Sequence, residues 1–319
     1  MNTIIPIASG KGGVGKTIIA ANLGIALAKS GKTVIAIDLD LGSSNLHTCL
    51  GIKNRHPGIG NFIYKKGVSL ESLIVKTDID RLYFIPGDSL LPGTANLQYF
   101  VKQKLIKGIR NLVADYILLD LGAGSSYNIV DFFLISKTGL LITTPETTSI
   151  LSAYAFLKTT MFRMLFRNYP PKSKERELIH NFLTEKLEGT DNSFLSLAGL
   201  LSDIDPKSGK HAREQIENFY PRIVLNICRN KQVITLGSRL RQICRKNIGI
   251  NMEYIGYIEY TEQVSDSIIN RKPLILYSPN SQFGRSLNNI AGNLLNIGYQ
   301  NKPKLYDSDE DIKDLIDFT

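Results

Sequence analysis

Two hydrophobic patterns alternate along the chain. Short apolar runs recur at Thr3–Ala8, Thr33–Asp38, Leu82–Pro86, Asp115–Asp120, Gly139–Thr144, Arg222–Asn226 and Asn251–Ile258. Continuous runs such as Tyr116-Ile117-Leu118-Leu119 suit strands covered on both faces, because neither side meets water. Longer stretches with helical spacing separate them: Lys16–Ser30, Ala95–Val113, Thr147–Arg167, Lys231–Lys246 and Ser286–Ile297. This alternation predicts an α/β fold, a doubly wound and mostly parallel sheet with helices on both faces. Asn168–Tyr220 breaks the rhythm with Pro170-Pro171, many charges and the turn-like Asp203-Ile204-Asp205-Pro206. It reads as a helical insertion on the sheet's edge. Residues 1–300 are thus expected to form a single domain containing the insertion 168–220. Residues 301–319 form an acidic C-terminal extension with a short helix over Asp309–Phe318.

Composition narrows the class. Of 319 residues, 43% are hydrophobic and 21% charged, the balance of a globular chain rather than a disordered one. No run approaches the eighteen apolar residues of a spanning helix. No basic stretch precedes the first short apolar run, so a secretory leader is not expected and the chain is placed in the cytoplasm. Cys49, Cys228 and Cys244 form no C-x-x-C pair and read as reduced and buried. The four histidines show no zinc-ligand spacing.

The net charge of +9 is unevenly spread. The last thirteen residues hold six acids and one lysine, so the remainder is more basic still. Arg229–Lys246 carries six basic residues and no acid. Such a face attracts DNA or an anionic membrane surface, or is simply solvated; charge alone names no partner.

The most specific chemistry lies at the start. Ser9-Gly10-Lys11-Gly12-Gly13-Val14-Gly15-Lys16-Thr17 satisfies G-x-x-x-x-G-K-[ST] between a strand and a helix, which identifies a P-loop NTPase. Glycines let the backbone turn tightly and aim several N–H groups at an anion, and the helix N-terminus adds its dipole. Lys16 then reaches the β and γ phosphates, and the Thr17 hydroxyl ligates Mg²⁺. Asp38 and Asp120 end apolar strands, and Asp40 follows Asp38. In a doubly wound sheet such strand ends border the ligand, where an acid can hold Mg²⁺ directly or through water, or orient the attacking water.

The stretch Lys11-Gly12-Gly13-Val14-Gly15-Lys16-Thr17 resembles the deviant Walker A motif of the MinD/ParA family of ATPases, marked by its extra lysine, here Lys11. Asp38-Leu39-Asp40-Leu41-Gly42 with Asn45-Leu46 is similar to the family's second acidic motif. Tyr116 through Gly124, ending Asp120-Leu121-Gly122-Ala123-Gly124, resembles the Walker B segment of the FlhG branch, which regulates flagellar number. Thr144–Ser149 and Tyr257–Pro273 resemble later family segments. The likeness covers about residues 1–165 and 221–298.

The resemblance implies a Mg²⁺-dependent ATPase that forms an ATP-dependent homodimer. Lys11 would reach the phosphates held by the partner subunit, and Lys16 would serve its own. Asp40 would orient water, while Thr17, Asp38 and Asp120 would serve Mg²⁺. Gly12, Gly13, Val14 and Gly15 would cradle phosphate, Asn45 would lie on the γ-phosphate side, Asn226 would recognise adenine, and Glu146 would lie at the dimer interface. The expected role is spatial positioning of flagella or the division site, with an unidentified protein partner and attachment to the inner membrane face through it. The acidic C-terminal helix departs from the basic membrane-binding helix common in the family, since anionic lipid repels it. It would instead meet a partner or the chain's own basic face. Two alternatives are a ParA-like partitioning ATPase binding DNA through 229–246, and a low-turnover ATP-binding scaffold.

Overall fold

The structure is a computed structural model that describes residues 2–87, 97–187, 193–230, 233–296 and 309–317. Among the described residues eight strands form one sheet: β1 (Thr3–Ser9), β2 (Val34–Leu39), β3 (Val75–Lys76), β4 (Leu82–Ile85), β5 (Tyr116–Ala123), β6 (Leu140–Thr143), β7 (Arg222–Cys228) and β8 (Glu253–Glu259). The helices among the described residues are α1 (Lys16–Lys29), α2 (Leu46–Cys49), α3 (Ile59–Tyr64), α4 (Tyr99–Asn111), α5 (Tyr127–Phe133), α6 (Thr147–Arg167) and α7 (Lys174–Leu187). They continue with α8 (Phe194–Ile204), α9 (Pro206–Asn218), α10 (Val233–Asn247), α11 (Gln263–Ile269), α12 (Leu274–Tyr277), α13 (Gln282–Asn296) and α14 (Glu310–Asp317).

The strand order is β3-β4-β2-β5-β1-β6-β7-β8. Every pairing is parallel except the antiparallel β3–β4 edge. The chain runs one way from β1 to β2 and β4, then crosses back to β6, β7 and β8. That reversal opens a crevice at the carboxyl ends of the central strands, where a doubly wound sheet binds ligand.

Each face of the sheet carries its own core. One holds α1 and α13, with Ile19, Leu23, Leu27, Phe283 and Leu287 buried against Val34, Leu118 and Val224. Helix α1 is buried nearly all round, as its Ala-Asn-Leu-Gly-Ile-Ala-Leu-Ala sequence requires. The other holds α4, α5, α6 and α10 over Ile37, Leu119 and Leu225. Of the cysteines, Cys228 and Cys244 are buried and free, while Cys49 is half-buried.

The insertion is helical, forming α7, α8 and α9. It lies in the crossover between the adjacent inner strands β6 and β7 and packs on α6. Phe182, Phe194, Leu197, Leu201, Ala212 and Ile216 extend the second core, and this apolar face holds the segment against α6.

The acidic helix α14 docks in cis. Ile312 is fully buried beside α10, in a notch left by Gly237. Asp311 accepts from Arg241 and from the backbone N–H of Tyr254 in β8, and Asp309 pairs with Arg241 at 3.1 Å. Arg241, 3% exposed, is therefore withdrawn from the basic stretch 229–246, whose Arg229, Arg239, Arg245 and Lys246 remain exposed. Ala95, Asn96, Lys231, Ile297 and Phe318, included in the expected helices, lie outside the described residues, as do residues 301–308 of the extension.

Candidate functional site

The P-loop links β1 to α1. Gly13 and Gly15 take φ of 80° and 83°, the left-handed region that a side chain resists. Gly15 is the N-cap of α1, and its carbonyl accepts the Ile19 N–H at 3.0 Å, so the helix starts under the loop. Gly10 serves packing instead: a Cβ there would stand 2.2 Å from the Ser152 carbonyl oxygen of α6. Gly12 has open space around it, its nearest neighbour being the Ala123 Cβ at 4.0 Å.

Lys16 is almost fully buried, and its Nζ lies 2.6 Å from Asp120 Oδ1 and 3.4 Å from Thr17 Oγ1. Asp38 faces Asp120 across the β2–β5 register. Asp38 accepts from Ser44 Oγ at 2.6 Å, Leu46 N at 3.0 Å and Asp40 N at 3.1 Å. Burial and the neighbouring Asp120 charge nevertheless push its pKa up to about 7. Burial raises Asp120 as well, against the pull of Lys16. Asp40 lines the mouth of the crevice.

Lys16 and Asp40 line a cleft of about 420 Å³ with Gly12 to Gly15, Thr17, Asn226, Tyr260 and Phe283, among others, while the buried Asp38 and Asp120 are not among its lining residues. The residues fit a nucleotide with Mg²⁺. Asp120 Oδ2 and Ser9 Oγ are buried without a hydrogen-bond partner, so polar capacity is left over at the strand ends. The donor set is carboxylate and hydroxyl oxygen, which suits a hard cation. No cluster of three or more His, Cys, Asp or Glu side chains among the described residues could hold a metal alone. Mg²⁺ ordinarily takes one or two protein ligands together with phosphate and water.

Not every candidate meets in the cleft. Lys11 points away from it, toward α6: its Nζ donates to Thr148 Oγ1 at 3.2 Å and stands 3.6 Å from Glu146 Oε2. Asn45 is exposed at the start of α2, bonded to the Ser43 carbonyl, and is not among the lining residues. Asn226 does line the cleft and donates to the Val14 carbonyl at 2.8 Å, tying β7 to the P-loop.

Two features escaped sequence reasoning. Ile227 lines the cleft at φ 58°, a strained conformation for a β-branched residue, where β7 and β8 slip register. Beside it Arg229 stacks on Tyr260 at 3.8 Å. The arginine was legible only as part of a charged run.

Residues 5–274 match the CobQ/CobB/MinD/ParA nucleotide-binding domain family. The flagellum site-determining protein YlxH of Helicobacter pylori is 29% identical over 298 residues, which span 91% of this chain and 81% of that protein. The septum site-determining protein MinD of Thermotoga maritima is 35% identical over 156 residues, 48% of this chain and 56% of that one. Among solved structures, MinD of Pyrococcus horikoshii complexed with Mg-ADP shares the fold, with a TM-score of 0.63 at 18% identity, covering 95% of this chain and 100% of that one. A strand-to-helix glycine cradle, strand-end carboxylates and a family match across most of the chain agree: this protein belongs to the CobQ/CobB/MinD/ParA nucleotide-binding family, whose MinD/ParA members are ATPases.

Proposed function

We propose that this chain hydrolyses ATP with Mg²⁺ as a nucleotide-switched dimer and positions a cell structure, as the site-determining proteins it resembles are named for doing. The observation that carries this reading is the buried Lys16–Asp120 pair under the glycine cradle, with Asp38 beside it and Asp40 at the mouth. A buried ammonium with one carboxylate partner is poised to exchange that partner for phosphate oxygens.

Bound Mg·ATP supplies a γ-phosphoryl group whose charge spreads as its bond breaks. The chain's own groups supply the rest. The Gly12–Gly15 backbone and the start of α1 bind phosphate. Lys16 would hold the phosphates in exchange for Asp120, and Thr17, Asp38 and Asp120 would hold Mg²⁺ directly or through water. Asp40 orients the attacking water. Asn226, next to the strained Ile227, holds the P-loop at the base-binding end. Lys11 lies on the surface and is free to leave Glu146 and Thr148 for the phosphates of a second protomer.

Phosphate release tests the reading. Wild type should turn over ATP in the presence of Mg²⁺, and Asp40→Ala should bind ATP while losing about 100-fold or more in rate. Equal rates for the two proteins would remove hydrolysis at this site and leave an ATP-binding scaffold.

A further inference from the structure

Asp131, on α5, is the hub of a charge cluster that the nucleotide site does not use. It is 3% exposed and accepts from Lys102 of α4, from Arg163 Nε at 2.8 Å and Nη2 at 3.0 Å, and from Arg167 Nη1 at 2.8 Å. Burial alone would raise its pKa, but the Arg163 and Lys102 hydrogen bonds overcome that and hold it below the usual carboxylate range. Four bonds fill the acceptor capacity of one carboxylate. Lys102 also donates to Asn128 Oδ1 at 3.0 Å. No second acid pairs with these three cations among the described residues, so the cluster keeps a net positive charge and unspent guanidinium donors. The arginine side chains are 18% and 31% exposed, near enough to the surface to receive another carboxylate.

The rim of the cluster is aromatic. Arg163 stacks on Tyr127 at 4.5 Å. Tyr99 packs edge-on against Phe100 at 5.8 Å. Tyr99, Phe100 and Tyr127 are 59%, 80% and 52% exposed. Exposed aromatics grouped around arginines are the composition of protein-binding hot spots, and a solvated helix face does not need them.

We propose that this α4–α5–α6 surface docks a segment of another protein that presents carboxylates beside apolar side chains, as an acidic amphipathic helix does. Charge complementarity selects that occupant: among the described residues the cations have no second anion, and the aromatics stand exposed. The chain's own acidic helix is already engaged elsewhere, its Asp309 and Asp311 bound to Arg241.

A fluorescently labelled amphipathic helical peptide of Glu and Leu is the probe, titrated against the full chain without nucleotide and followed by anisotropy. Omitting nucleotide makes the outcome independent of the hydrolysis reading. Saturable binding is expected. It should weaken about tenfold for a twin peptide with Gln in place of Glu, and for the surface variants Phe100→Ser and Arg167→Gln. The α10 variant Arg239→Gln/Arg245→Gln should bind like wild type. Circular dichroism checks that each variant is folded; Phe100 is exposed, and Arg167→Gln leaves Asp131 its bonds from Lys102 and Arg163. Failure to saturate, equal binding of the Gln twin, indifference to both surface variants, or loss of binding in the α10 variant would each overturn the proposal.

Discussion

Gly10 has no room for a methyl group, since the Ser152 carbonyl stands 2.2 Å from where a Cβ would be. Backbone must move to admit one, at a cost of about 1–3 kcal/mol. Gly10→Ala should therefore unfold at lower temperature and bind ATP more weakly, while Gly12→Ala, with open space, should keep the stability of wild type. Thermal unfolding of the two variants side by side checks this. Asp38 makes a second residue-level prediction. Its pKa is about 7 in the folded protein, against an ordinary carboxyl value near 3.8. Between those two values the folded state holds a proton that the unfolded state has lost, so this group's contribution to stability falls as pH rises through the window. Asp38→Asn should flatten the slope of urea midpoint against pH from about 4 to about 7. An unchanged slope would show that Asp38 is not the group responsible.

At the scale of elements, α14 works as an internal strap. It supplies two carboxylates to the buried Arg241 and one acceptor to the backbone of β8, the last strand of the sheet. Losing one partner of a buried ion pair costs about 3–5 kcal/mol. Asp311→Asn should lower stability toward the bottom of that range, because Asp309 still pairs with Arg241. Replacing both members, Arg241→Met with Asp311→Leu, should recover part of the loss in chemical denaturation. The acidic helix was expected to meet a partner or the chain's own basic face, and it meets that face; which arginine of 229–246 it takes was not legible, because a buried and a solvated arginine look alike in sequence. Their difference was fixed by a helix 70 positions away. The seven longer strands were legible, since burial on both faces forces unbroken apolar runs. The two-residue β3 was not, because it exists through its pairing with β4 and carries no pattern of its own. The cleft was legible where backbone chemistry dictates residue type, as at Gly13, Gly15 and Lys16. It was illegible where geometry alone decides, as at Ile227 and in the direction Lys11 takes.

The position of Lys11 matters at the scale of the whole molecule. In a single protomer its ammonium rests on Glu146 and Thr148, with side chains 46% and 64% exposed in the ion pair. A surface pair of this kind contributes about 0–1 kcal/mol, so little holds the lysine there and little is lost when it leaves. The fold therefore does not need Lys11, whereas a dimer that places it against a second protomer's phosphates would. Lys11→Ala should melt like wild type and retain ATP binding. It should lose ATP-dependent dimers in light scattering and fall at least about 1,000-fold in phosphate release, as when a cation delivered in trans is removed. Glu146→Gln separates the two states of this lysine. It removes the monomer's ionic hold but leaves the ammonium, so dimers should form at the same or lower ATP concentration. If Lys11→Ala dimerises and turns over normally, the lysine belongs to its own surface and the switch must be built from other residues.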